Sequence, residues 1–452
     1  AIGNGAIVTS SNTIQLGNAY VTNVKTSGTI TAGTVTYPKT DMGHAGKFLK
    51  TDGSGNLSWA TSSITGFPII VEDNSIYLGN DPSSTTSTAQ YNVAVGTTAL
   101  DAITTGDKNF AIGYNALTSN TSGNNNISFG YNALKDNKWG YKNIAIGNDA
   151  LSKNSFSSDL NDETKISDRS SNNIAIGHDS LKENIRGRNN VAMGNLALNK
   201  GTFATHSVAI GYGTLSGSDS YTDSDYGINK EGASNNVAVG SLAMYKNRKG
   251  WNNVAIGMQA MQDNFDGNWN VAIGKQAMIY NVNGIKNVAV GFSALHYSGS
   301  VTASYKQVIE ENTAIGYEAL FNNIANKNTA VGSKALGTNK TGGNNTAIGF
   351  EADVLSNSLN NATAIGNGAI VTSSNTIQLG NTSVLNVITS GDGSFNGITI
   401  GKGGGRQGYN TAIGNQALFV NTGGGYNTAS GYQALQQNNT GSNNTASGYQ
   451  AL

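Results

Sequence analysis

Residues 252–264 read NNVAIGMQAMQDN, and 17 residues further on the chain writes nearly the same phrase again. Asn253-Val254-Ala255-Ile256-Gly257 is followed by Asn270-Val271-Ala272-Ile273-Gly274 and then by Asn287-Val288-Ala289-Val290-Gly291. Upstream the phrase stands at Asn173-Ile174-Ala175-Ile176-Gly177, and downstream at Asn410-Thr411-Ala412-Ile413-Gly414. A fixed period of this length marks a solenoid or another repeat architecture.

The closing glycine serves as a ruler. It falls at Gly79, Gly96, Gly113, Gly130 and Gly147, then at Gly177, Gly194 and Gly211, then at Gly240, Gly257, Gly274 and Gly291. Further runs sit at Gly316, Gly332, Gly349 and Gly366, and at Gly414, Gly431 and Gly448. Val-Ala-Ile alternates large, small, large, the period-two signature of a short strand. A glycine then turns the chain, because it reaches positive φ without a steric cost. An Ala-Leu or Ala-Met segment follows, then Asn, a residue that suits turns and can stack into amide ladders. One unit therefore holds about two strands of ~5 residues and two turns.

These units predict an all-β solenoid: a flat two-sided coil whose ~17-residue rungs stack about 4.8 Å apart. Val254 and Ile256 are expected to stack on Val271 and Ile273 inside the coil. Ala255, Ala272 and Ala289 then face outward, where small side chains permit close approach by another copy. A coil this thin buries little, so association is expected, and a threefold bundle covers the alanine faces and leaves no flat edge free. A monomeric solenoid, its small residues reflecting only tight turns, is the simpler alternative.

Composition narrows the function classes. The 452 residues carry 27 basic and 27 acidic side chains, a formal net charge of zero. That excludes an electrostatic nucleic-acid binder, which needs a basic surface. No stretch reaches the ~18–20 apolar residues of a membrane span. With no cysteine there is no disulfide framework and no thiolate metal site. The chain starts at Ala1 and stops at Leu452 in mid-repeat, so both ends read as cuts through a longer polypeptide.

The Asn-Asn-Val-Ala-Ile-Gly phrase resembles the head repeat of trimeric autotransporter adhesins of the YadA type. That resemblance implies a left-handed parallel β-roll of three chains. Ser11-Asn12-Thr13-Ile14-Gln15-Leu16-Gly17-Asn18, followed by Val21-Thr22-Asn23-Val24-Lys25-Thr26-Ser27-Gly28, resembles the neck that closes such heads. In that family the neck is where each chain crosses to its neighbour. Ala1 to Asn18 recurs unchanged at Ala364 to Asn381, and Asn386 to Gly391 completes a second neck. The rung is longer than the common head unit, and neither neck leads into a heptad stalk. Thr34 to Ala60 instead resembles connectors of phage tail fibres and of long bacterial surface fibres. The resemblance covers roughly four-fifths of the chain.

The expected organisation is the end of a β-roll plus a neck (1–33), a β-rich connector (34–75) and a main roll (76–366). A second neck (367–398) and the start of another roll (399–452) follow. Three insertions interrupt the main roll, at about 152–171, 216–234 and 296–311. Each follows the Ala-Leu segment, so all three are expected to leave at one edge, where repeat insertions and binding loops tend to lie. Within them Tyr221, Tyr226, Tyr297 and Tyr305 are candidate stacking platforms, and Asp159, Asp223 and Asp225 candidate partners for sugar hydroxyls. The opposing reading makes them decorative loops that seal the edge. Trp139, Tyr141, Trp251 and Trp269 precede the rungs and are expected to pack over adjacent turns.

No catalytic set is evident, and no cofactor is expected. His44, His178, His206 and His296 lie far apart without ligand spacing; on a threefold axis three copies of His178 could hold an axial ion, but a surface histidine is the expected reading. Asp52 to Asn56 and Asp223 to Gly227 echo calcium loops, but the twelfth positions hold Ser63 and Ser234 instead of an acid, so both read as turns. Gly401 to Gly405 lacks the spacing and Lys-Ser/Thr ending of a phosphate loop. The sequence thus points to an extracellular fibre on a cell, a virion or an injection device, with itself as partner and a glycan or protein receptor as target. A passive filament and a depolymerase are the rival readings.

Overall fold

The structure is a computed structural model. It describes residues 2, 7–9, 30–32, 35–37, 48–54, 57–60, 69–79, 82, 88–154, 170–201, 203–217, 233–296, 308–384, 393–395, 398–404 and 409–452. Among them there is no helix long and apolar enough to cross a membrane. The chain is all-β: a parallel β-solenoid whose main sheet contains eighteen strands. Ile69–Glu72 opens this sheet antiparallel to Ser75–Leu78, and every later pairing in it is parallel, through to Ile377–Leu379. The last of these strands lies in the segment expected to form the second neck, stacked directly on the roll.

Register is strict. Val254 pairs with Val271, Ala255 with Ala272 and Ile256 with Ile273. It survives each insertion, since Ile144–Ile146 pairs with Ile174–Ile176, Val208–Ile210 with Val237–Val239, and Val288–Val290 with Thr313–Ile315. The step between rungs is 17 residues at Asn253 and Asn270, 16 at Asn312 and Asn328, and 14 at Asn361 and Asn375.

The alternation was assigned to the wrong faces. Ala255, Ala272 and Ala289 are completely buried within one chain. Val254 is half-buried, while Ile256 and Ile273 remain 39% and 38% exposed. The interior is a gap between two close walls, filled from the strand side mainly by alanine, with Ala260 and Met261 entering from the opposite wall. Both ends are stoppered at the same register position. Tyr77, fully buried, stands opposite Ala94, and Gln378 stands opposite Ala364 with its side-chain Nε2 donating to the Gly380 carbonyl at 2.8 Å.

The second wall is mostly not a strand. In most rungs it alternates hands, as at Gln259 (φ 60°) and Met261 (φ 51°). Its amides still bridge rungs: Gln259 N donates back to Ser241 O and Met261 N forward to Ala277 O, each at 2.9 Å. A left-handed non-glycine residue costs about 1–2 kcal/mol. Complete burial of the Met261 side chain contributes about 1.5–3 kcal/mol, and the inter-rung hydrogen bond about 0.5–1.5 more. Burial therefore outweighs the strain, which explains why Leu or Met recurs there.

Two buried amide ladders complete the interior. Asn253 N and Nδ2 donate to Asn236 Oδ1, and Asn270 repeats the bond to Asn253. On the other wall Asn264 Nδ2 donates to Asn247 Oδ1. The Gly267 carbonyl accepts from both Asn253 and Asn264, tying the ladders together. Where a hydroxyl enters the alanine columns it is also satisfied, as with Ser128 on the Ala133 carbonyl and Ser180 on the Ala192 carbonyl.

Residues 393–452 repeat the design on a smaller scale. Ile398–Gly401 runs antiparallel to Thr411–Ile413, on which Thr428–Ser430 and Thr445–Ser447 stack in parallel around Ala412, Ala429 and Ala446. Each roll thus opens on an antiparallel strand that covers its first edge. In the connector, Phe48–Thr51 and Leu57–Ala60 form a hairpin. Its turn matches expectation, with Ser54 N donating to Asp52 Oδ1 at 2.8 Å.

Candidate functional site

On the outward side of the main sheet the third strand position is apolar along its length, while the first position turns to threonine at Thr313, Thr329, Thr346 and Thr363. Side chains at the first strand position include Phe110, Ile127 and Ile144, and at the third Ile112, Phe129, Ile146, Met193 and Ile210. Phe129 is 51% exposed and Met193 40%. Seventeen strands at about 4.8 Å spacing, each roughly 10 Å wide, make a strip on the order of 800 Å2. Contiguous apolar patches on soluble monomers seldom exceed a few hundred Å2, so this face is the candidate interaction surface of the roll. The alanines expected there cannot serve, because Ala255, Ala272 and Ala289 have no surface left to offer a second chain. The residues that face outward are those at the first and third strand positions, such as Val254 and Ile256.

The seven insertion residues, Asp159, Tyr221, Asp223, Asp225, Tyr226, Tyr297 and Tyr305, lie outside the described residues, as do His44 and the Asp223–Gly227 turn. The points where the insertions leave the roll are described. The chain departs after Asn154, Gly217 and His296, each in the turn that follows the buried Leu of its rung. Lys153 N still donates to Lys182 O, Gly217 N to Tyr245 O and Leu295 N to Ala319 O, so each rung keeps its inter-rung hydrogen bonds up to the point of departure.

A polar cleft of about 540 Å3 lies beside the third insertion, lined by Val308, Glu310, Ile324, Asn326, Lys327 and Asn344 among others. It coincides with the short rung, where Asn312 and Asn328 are 16 residues apart. Of the aromatics before the rungs, Trp251 and Trp269 pack across adjacent turns as expected. Trp251 and Trp269 meet edge-on at 4.2 Å, and Lys138 lies over the Trp139 ring. Other exposed rings stack in columns, Tyr114 on Tyr131 and Phe292 on Tyr317.

One cluster of ionisable side chains was not anticipated. Asp149, His178 and Asp179 bring three potential ligand atoms within 4.8 Å of one another. His178 Nδ1 lies 3.3 Å from Asp179 Oδ2, and Lys182 Nζ lies 3.0 Å from Asp179 Oδ1. The hydrogen bond from Lys182 to Asp179 raises the lysine pKa above its usual value, against a smaller opposing effect of burial. In sequence Asp149 and His178 are separated by the first insertion. Counting from the marker glycine reveals the pairing, because Asp149 follows Gly147 at the same step as Asp179 follows Gly177. Comparison with protein-family models and with curated proteins returned no match to this chain.

Proposed function

We propose that the chain is a segment of a homotrimeric extracellular fibre that extends from a surface and presents binding loops for attachment to a cell or glycan. The observation that supports this reading is the outward apolar row at the third strand position, exemplified by the exposed Ile256 and Ile273, on a coil whose own interior is already filled largely by alanine. The number three rests on the resemblance of the repeated phrase and neck to trimeric adhesin heads. Stacked rungs supply length, association supplies stiffness, and three copies of each weak site supply avidity. The insertions are the proposed attachment loops, because the strands on either side of each one pair in unbroken register.

The test is the solution mass of the full chain by light scattering, for the parent and an Ile256→Lys/Ile273→Lys variant. A trimer mass that falls in the variant is expected, and a parent monomer would overturn the assembly. Replacing residues 155–169, 218–232 and 297–307 with rung-length turns then tests attachment. Loss of cell or glycan binding with retained mass is expected; unchanged binding would leave a passive filament.

A further inference from the structure

We propose that Asp149, His178 and Asp179 bind a divalent transition-metal ion of the zinc type, which clasps the two rungs flanking the first insertion. An imidazole and two carboxylates suit zinc better than calcium or magnesium, which favour all-oxygen shells. Tetrahedral coordination with bonds of about 2.0–2.1 Å places ligand atoms about 3.3 Å apart. The His178 Nδ1 to Asp179 Oδ2 separation is 3.3 Å. Asp149 supplies the third ligand from the preceding rung, and solvent has access to a fourth position because the His178 side chain is 57% exposed.

The backbone holds the carboxylates in place. Asp149 N donates to Tyr131 O at 2.8 Å and Asp179 N to Asn148 O at 3.0 Å, and both residues are left-handed, with φ of 55° and 56°. Outer-shell support is present too, since Asn115 Nδ2 donates to Asn132 Oδ1 and Asn132 Nδ2 to Asp149 Oδ1.

The same column shows why a cation is wanted here. Elsewhere it carries amides that bridge rungs, as in Gln276 Nε2 to Gln259 Oε1 and Gln433 Nε2 to Gln416 Oε1. Between Asp149 and Asp179 two acceptor-only groups stack, and no donor of their own can join them. Lys182 reaches only Asp179 Oδ1, which leaves Oδ2 and the Asp149 carboxylate facing His178. A metal ion joins all three and cross-links the ends of the insertion at residues 155–169. This site lies within one chain and does not depend on the trimer.

Chelator-treated full chain titrated with ZnCl2 by calorimetry tests the site, with thermal unfolding followed in parallel. One ion per chain and a raised melting temperature are expected. His178→Ala and Asp149→Asn should each weaken binding by at least about tenfold, the loss that even outer-shell changes produce. Lys182→Met should tighten binding, because it removes the competing cation. His206→Ala, at another exposed histidine of the roll, should leave it unchanged. Circular dichroism reports whether each variant keeps its fold. Absence of binding would overturn the proposal, and so would binding that survives both ligand variants or is lost equally in His206→Ala.

Discussion

The carboxamide of Asn270 stacks on that of Asn253: its backbone N and its Nδ2 both donate to Asn253 Oδ1, at 2.9 and 3.1 Å. Asn270 Oδ1 in turn accepts from Asn287 N and Nδ2, and its Nδ2 also reaches the Gly284 carbonyl. All three asparagines are fully buried. Asn270→Ala therefore strands several interior polar groups at once. Each unsatisfied group costs about 1–3 kcal/mol, so a destabilisation of roughly 3 kcal/mol or more is expected from chemical denaturation. Asn270→Ser should lose less, because Ser207 already occupies this column and its Oγ accepts from Asn236 N.

Gly257 cannot be replaced even by alanine. Its φ is 130°, and an added Cβ would lie 2.6 Å from the carbonyl oxygen of Gly274 on the next rung. The clash is backbone against backbone, so no rotamer relieves it. Gly257→Ala should cost about 3 kcal/mol or more in unfolding experiments. Gly53→Ala is the control: its φ is 82° and nothing lies within 4 Å of the added atom, so only the intrinsic strain of about 1–2 kcal/mol should appear.

The period, the parallel register and the all-β class were legible because the marker glycine recurs in one phase through the chain. Alternation told which residues share a face but not which face lies inside. Asn253 and Ala255 have the same parity and point inward together, whereas Val254 and Ile256 point outward. Treating Asn253 as a turn residue hid this. Recognised as a buried amide, it would have placed Ala255 indoors. The second wall was read as a strand because a 17-residue unit has room for two, yet its residues alternate hands instead. The Asp149–His178 meeting was hidden by the 30-residue step across the first insertion, the same step that separates Asn143 from Asn173.

His296 should make the roll sensitive to mild acid. Its ring stacks on Phe321 at 4.6 Å and meets Tyr280 edge-on at 5.4 Å. Burial holds its pKa below the usual 6.5, and nearby Glu318 opposes that only in part. The unfolded chain thus binds a proton near pH 6.5 that the folded chain refuses. Stability is complete above 6.5 and is lost as pH falls through that value toward the lower folded pKa. Urea midpoints measured between pH 7.5 and 5 should fall, and His296→Phe should flatten the fall. An equal decline in that variant would remove His296 as the cause.

Lys246 and Asp263 form an inter-rung ion pair at 3.0 Å, with the aspartate side chain 5% exposed and the lysine 37%. Removing one partner of a fully buried pair costs about 3–5 kcal/mol, because a charge is left in a poor solvent. Here the lysine keeps over a third of its surface in water, so Lys246→Met should cost less, about 1–3 kcal/mol. The penalty lies mainly in the stranded carboxylate. Adding Asp263→Leu to Lys246→Met should therefore restore much of the loss, as apolar replacements of buried pairs often do. Denaturation of the two single variants and the double variant measures this coupling. A double variant as unstable as the sum of the singles would show instead that the two side chains act independently.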